Sequence, residues 1–264
     1  MPFSVSQPYS RMKKAEPPLY NQTLVNKGTG QLVILLHGLF GNYALWRSTV
    51  EALQDNYHVV VPRLPIFDLP AHHTNVKYLV KVLHEFIEWN EFRSVVLVGH
   101  AIGGQVALMY TSLYPENVSK LVLAGSAGLH EGPLTEESLA DSVVDYGFVQ
   151  RMVSQAFYEE TPMLEYFVDE IYLTVRNIPK RLMIGSMIKS SNLNDVTHFL
   201  NKIETQTLLL WGLEDQISPP ETALHFYDYL RNAELRFIKE CGHVPMIEQP
   251  KVFNKHLLSF IQPL

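Results

Sequence analysis

In Val95-Val96-Leu97-Val98-Gly99-His100-Ala101-Ile102-Gly103-Gly104, an apolar strand-like run meets a helix-like stretch through a turn flanked by glycines. This is the context of a nucleophile elbow, G-x-S-x-G, in which a strained central residue is held at the start of a helix. Side chains two positions either side of that residue would collide across the turn, so glycine belongs there. The opening helix points free N–H groups at the place where an oxyanion would form. Ala101 stands where the serine is expected. Its methyl group has no lone pair, so it forms no acyl-enzyme.

Three further segments share this context. His37-Gly38-Leu39-Phe40-Gly41 follows an apolar run, Trp211-Gly212-Leu213-Glu214-Asp215-Gln216-Ile217-Ser218-Pro219 follows another, and Cys241-Gly242-His243-Val244-Pro245 precedes Glu248-Gln249-Pro250. Together with the elbow they resemble the α/β-hydrolase superfamily over nearly the whole chain. The resemblance implies an α/β fold with a mostly parallel, doubly wound sheet and a helical cap insertion. It also implies an oxyanion hole from the Leu39 and Ile102 backbone N–H groups, Asp215 as the acid and His243 as the base. The order elbow, acid, histidine is the order of that superfamily. Glu214 is adjacent to Asp215, and some relatives place the acid after an earlier strand. Here that stretch, Ala124-Gly125-Ser126-Ala127-Gly128, contains no acid, which favours Asp215.

An intact site of this kind works by serine attack on a carbonyl, with histidine taking the proton and aspartate fixing the imidazole tautomer. The expected activity is therefore hydrolysis of small carboxylic esters or activated carbonyl compounds, in a form lacking its nucleophile. Retention of the acid, the base and the elbow glycines favours a recent or deliberate serine-to-alanine replacement. The alternative is a natural ligand-binding pseudo-hydrolase. An original aspartate nucleophile fits less well, because such relatives usually carry tryptophan after the nucleophile and HGxP in the first loop. The stretch 176–196 also resembles carbon–carbon bond hydrolases of ring-fission diketones. Those enzymes usually have asparagine before the nucleophile and tryptophan after the histidine, positions held here by His100 and Val244. Arg176 or Arg181 could hold a substrate carboxylate, although solvated helix charges are the commoner explanation. Ser126 is a candidate substrate-binding residue, its plainer role being a polar wall or a backbone hydrogen bond. Cys241 reads as a packed thiol. His72-His73 lacks companion ligands, so no metal is expected, and triad chemistry requires no cofactor.

The elements that must position these residues are legible as an alternation. Apolar runs at 31–36, 57–61, 94–98, 120–124, 207–211 and 234–238 are continuous rather than alternating, as in strands covered on both faces. Between them lie helical spacings: Trp46, Val50, Leu53; Val76, Leu79, Val80, Leu83, Phe86; and Phe253, Leu257, Phe260. Such alternation predicts parallel strands with right-handed crossovers. Residues 20–26 and 31–36, joined through Lys27-Gly28-Thr29-Gly30, are expected to add an antiparallel hairpin. From 128 to 200 the alternation stops and helical patterns such as Val149, Met152, Val153, Ala156 take over. The expected division is a core of 1–127 with 201–264, and a cap of 128–200. The chain has 264 residues, 21 basic against 27 acidic, for a net charge of −6. A mildly acidic, mixed-sign surface argues against nucleic acid as a partner. One cysteine excludes an internal disulfide framework, and residues 1–18 show no apolar leader, so a cytoplasmic location is expected. No apolar run approaches the ~20 residues of a membrane span. The expected partner is a small molecule rather than a membrane, and oligomeric state is left open.

Overall fold

Strands without polar alternation need cover on both faces, and the sheet provides it. In the computed structural model, which describes residues 18, 20–41, 43–129 and 144–262, seven strands form one sheet. In chain order they are β1 (Thr23–Lys27), β2 (Gln31–Leu36), β3 (Tyr57–Pro62), β4 (Val95–His100), β5 (Val118–Ala124), β6 (Thr207–Gly212) and β7 (Ala233–Ile238). Their spatial order is β1-β3-β2-β4-β5-β6-β7. From β3 to β7 every pairing is parallel. The proline-punctuated start of the chain, 1–17, and residues 130–143 of the insertion lie outside the described residues.

Helices α2 (Val76–Trp89) and α3 (Ile102–Leu113) bury Val76, Leu79, Leu83, Phe86, Val106 and Tyr110 against one face of the sheet. The opposite face is covered by α1 (Tyr43–Leu53), through Trp46, Val50 and Leu53, and by a C-terminal helix, Pro250–Ile261, through Phe253, Leu257 and Phe260. Between β5 and β6 the described residues form helices and no strand: α4 (Tyr146–Ser154), α5 (Pro162–Arg176), α6 (Ile178–Leu193) and the short α7 (Thr197–Leu200). Each of the three long ones starts where the sequence supplies a capping side chain. Asp145 accepts from Phe148 N at 2.7 Å, Thr161 from Leu164 N at 3.3 Å and Asn177 from Lys180 N at 3.1 Å.

The expected hairpin does not form. β1 runs antiparallel to β3, not β2. Both edges of β2 are taken by its parallel neighbours β3 and β4, so β1 pairs with the free edge of β3. The Lys27–Gly30 link therefore crosses over the start of β3. Gly28, at φ +77°, lies so close to the Tyr57 and Gln54 carbonyls that a Cβ would collide with both. The glycines that read as a tight hairpin turn instead serve this close crossing.

Candidate active site

The elbow has the conformation its glycines foretell. Ala101 sits at φ 51°, ψ −120° at the head of α3, a region that L side chains rarely adopt. It is pinned from several sides. Ala101 N donates to Ala124 O at 3.2 Å, and Ala101 O accepts from Gly104 N, Gln105 N and Ala127 N at 2.9, 3.2 and 3.1 Å. A Cβ on Gly99 would come within 2.5 Å of Gly103 O, and one on Gly103 within 2.5 Å of Leu36 O. The turn is thus too crowded for any other residue at these positions.

Two loops at the ends of β6 and β7 supply the acid and the base. Trp211 is fully buried, and its indole N–H donates to Ser218 O at 2.7 Å, closing the loop that carries Asp215. A Cβ on Gly212 would strike the Cys241 and Gly242 carbonyls, so its absence lets the His243 loop pass alongside. The loops are then stitched together, with Cys241 N donating to Glu214 Oε2 at 2.9 Å and Glu214 N to Cys241 O at 3.0 Å. This separates the two adjacent carboxylates. Glu214 is used by the backbone, whereas Asp215 Oδ2 lies 2.9 Å from His243 Nδ1 and accepts a hydrogen bond from its N–H. Asp215 Oδ1 accepts from Ile217 N and Ser218 N at 2.9 and 2.8 Å, so the carboxylate is held on both oxygens. Gly125, at φ +50°, leaves room for the pair: a Cβ there would lie 3.0 Å from His243 Nδ1 and 3.2 Å from Asp215 Oδ2. The sequence carries a signal for this glycine only in its place after β5.

Behind His243 lies a second imidazole. His100 Nε2–H donates to His243 O at 2.9 Å, and the two rings are 4.7 Å apart. Its Nδ1 is buried without a hydrogen-bond partner among the described residues. Burial, and secondarily the neighbouring His243, push its pKa down to about 3, so the ring is neutral. His37 is likewise buried and lowered by desolvation. Leu64 N donates to its Nε2 at 3.2 Å, so its Nδ1–H donates to Gly38 O at 2.8 Å and steadies the first loop. Cys241 is fully buried, and burial, then Glu248, push its thiol pKa up, which agrees with a packed thiol. Among the described residues no cluster of His, Cys, Asp or Glu is placed to hold a metal ion.

Ala101, Leu39, Ile102 and His243 all border one cavity of about 490 Å³, within the usual range for small-molecule pockets. The rest of its wall is mainly apolar, with Phe40, Phe148, Met152, Phe157, Phe167, Ile171 and Ile188 contributing. The helices between β5 and β6 form much of that wall. For three residues the structure matches the plainer of the two roles expected. Ser126 does not line the cavity; it is fully buried, and its hydroxyl donates to Ala127 O at 3.0 Å. Arg176 and Arg181 do not reach the cavity either: α5 ends at Arg176, whose guanidinium stacks over Tyr172 at 5.5 Å, and Arg181 lies in the first turns of α6. Among the described residues, Arg151 of α4 is an arginine that does border the cavity.

A strained strand-to-helix turn sharing one cavity with a histidine–carboxylate pair, at the C-terminal edge of a mostly parallel sheet, defines the α/β-hydrolase class. The chain belongs to the alpha/beta hydrolase family, whose model matches residues 33–256. It is 29% identical to "2-hydroxy-6-oxo-6-(2'-aminophenyl)hexa-2,4-dienoic acid hydrolase" of Metapseudomonas resinovorans, over 89% of this chain and 85% of that one. It is 24% identical to the human "Monoacylglycerol lipase ABHD6", over 87% and 74% of the two chains. Among solved structures, an esterase from Exiguobacterium antarcticum superposes with a TM-score of 0.80 at 23% identity, covering 90% of this chain and 94% of that one.

Proposed function

We propose that this chain is a carboxylic-ester hydrolase of the serine type whose nucleophile position is held by Ala101. The carrying observation is an aspartate–histidine pair, 2.9 Å apart, whose histidine borders the same cavity as a residue kept at φ 51°. Such backbone strain costs on the order of 1–3 kcal/mol and persists where a site depends on it. With serine at 101, Oγ would attack the ester carbonyl while His243 takes its proton. The Leu39 and Ile102 N–H groups would receive the oxyanion; Ile102 opens α3, where a backbone N–H has no acceptor within the helix. His243 would then protonate the departing alkoxide, and water would release the acid by the reverse sequence. The largely apolar cavity suits an acyl or aryl group of an uncharged ester, and the helices between β5 and β6 act as its cap. With alanine present, the same groups bind the ester or carbonyl compound without forming an acyl-enzyme.

The test is Ala101→Ser, assayed on p-nitrophenyl esters of several chain lengths and with a fluorophosphonate probe. Ester turnover with labelling at position 101 is the expected result. Labelling without ester turnover would point to carbon–carbon hydrolysis of diketones, a reading supported by the Metapseudomonas resinovorans relative but not by His100, Val244 or the placement of Arg176 and Arg181. A folded, inert and unlabelled protein would overturn the proposal in favour of a natural binding role.

A further inference from the structure

Helix α6 is apolar on two faces. Its inner face buries Ile184, Met187 and Ile188, and Ile188, Ser191 and Asn192 border the cavity. Its outer face carries Ile178, Leu182 and Leu193, which are 59%, 61% and 76% exposed. With Lys189 they recur at i, i+4, i+11 and i+15, which at 100° per residue confines them to an arc of roughly 60°. The stripe runs the length of a 16-residue helix, about 24 Å. Leu173, in the last turn of α5, adds a fourth large aliphatic side chain, 65% exposed. A helix with one buried face ordinarily presents polar residues on the other, and several large aliphatic side chains exposed along one arc, here interrupted by Lys189, mark a surface that something covers.

Charge identifies what that is. From 171 to 194 there is no acidic residue, while Arg176, Lys180, Arg181 and Lys189 supply four positive charges in a chain whose net charge is −6. The acids of α5 end at Glu170, before this stretch begins. Arg181 borders the stripe and Lys189 lies within it, whereas Lys180 leans toward Phe67, its ammonium 5.6 Å from the ring. Aliphatic side chains framed by cations match the interface of an anionic bilayer, where hydrocarbon accepts the leucines and headgroups neutralise the lysines and arginines. Two copies meeting through the same face would instead set like charges against each other. We infer that the outer face of α6, with Leu173, docks on an anionic lipid surface. No described helix is long and apolar enough to cross a membrane, so this is attachment in the plane of the interface. The inner side of the same helix walls the cavity, which places the lipid surface one helix away from the site.

The experiment uses the chain as it stands and needs no turnover, so it is independent of the ester proposal. Binding to vesicles of phosphatidylcholine alone is compared with binding to vesicles containing 30% phosphatidylglycerol, by co-sedimentation, for the parent, Ile178→Ser/Leu182→Ser and Lys180→Glu/Arg181→Glu. The parent should sediment with the anionic vesicles and weaken as salt is raised. The serine variant should bind at least tenfold more weakly, since each withdrawn aliphatic side chain contributes about tenfold. The charge-reversal variant should also lose at least tenfold, at about fivefold per charge. Ile178, Lys180 and Leu182 are exposed and Arg181 half-buried, so circular dichroism and melting temperature, measured for each variant, separate a docking defect from misfolding. Failure of the parent to bind either vesicle, or equal binding by all three proteins, would overturn the inference. So would a lipid-free dimer abolished by Ile178→Ser/Leu182→Ser, which would make a second copy the occupant.

Discussion

Acidification should destabilise this fold chiefly through His100. Unfolded, its imidazole takes up a proton near pH 6.5; folded, burial holds it neutral down to about pH 3. Between those values the unfolded state binds more protons, so stability is full above pH 6.5 and is lost as pH falls toward 3. The proton gained on unfolding is worth about 2 kcal/mol at pH 5 and about 0.2 kcal/mol at pH 7. His37, lowered by its own burial, acts in the same direction. Glu248 opposes them, because burial raises its pKa above the unfolded value, so its contribution is present at low pH and fades as pH rises. His100→Gln isolates the effect: the amide N–H still donates toward His243 O, and nothing at that position titrates. In urea unfolding at pH 7 and pH 5, the parent should lose about 2 kcal/mol more than the variant, a midpoint difference of roughly 1 M for an m value near 2 kcal/mol/M. Identical pH dependence in the two proteins would refute the reasoning. So would a folded-state His100 resonance that titrates near pH 6.5.

Gly125→Ala should drive a methyl group against the Asp215–His243 contact, where a Cβ would sit 3.0 Å from Nδ1 and 3.2 Å from Oδ2. In the Ala101→Ser form, ester turnover should then fall by on the order of 10²–10⁴, up to the loss seen when the orienting acid fails; unchanged kcat would mean that the pair does not need this spacing. Gln105, fully buried in α3, ties the end of α6 to the core, donating to Ser191 O and Asn194 O at 3.0 and 2.9 Å and accepting from Ser191 Oγ at 2.7 Å. Gln105→Leu strands those groups and should cost about 2–4 kcal/mol. Amide exchange should rise at 187–196 ahead of the sheet, and a uniform change along the chain would contradict this local tether.

Much of the candidate site was legible because its constraints are local. A positive-φ residue between two chain crossings permits only glycine around it, so Gly99 and Gly103 announce the elbow whatever the central residue is. Trp211 and Asp215 are joined within one loop, so their spacing carries the geometry. Strands buried on both faces must be continuously apolar, which located β2 to β6 and implied parallel crossovers. Other features depended on groups distant in sequence. Asp215 was legible as the acid, but the contact that holds its neighbour Glu214 aside, from Cys241 N, joins loops 27 residues apart. Whether β1 joins β2 was settled by β4, which already occupied that edge. Arginines at 151, 176 and 181 look alike as helix charges, and only the packing of α4 and α5 put the first beside the cavity. The sequence by itself determined the class of fold and the residues able to do chemistry, because turn sterics and strand burial act over a few neighbours. Tertiary structure alone decided the partner of each sheet edge and helix face, since those outcomes are competitions among groups that meet only when the chain is folded.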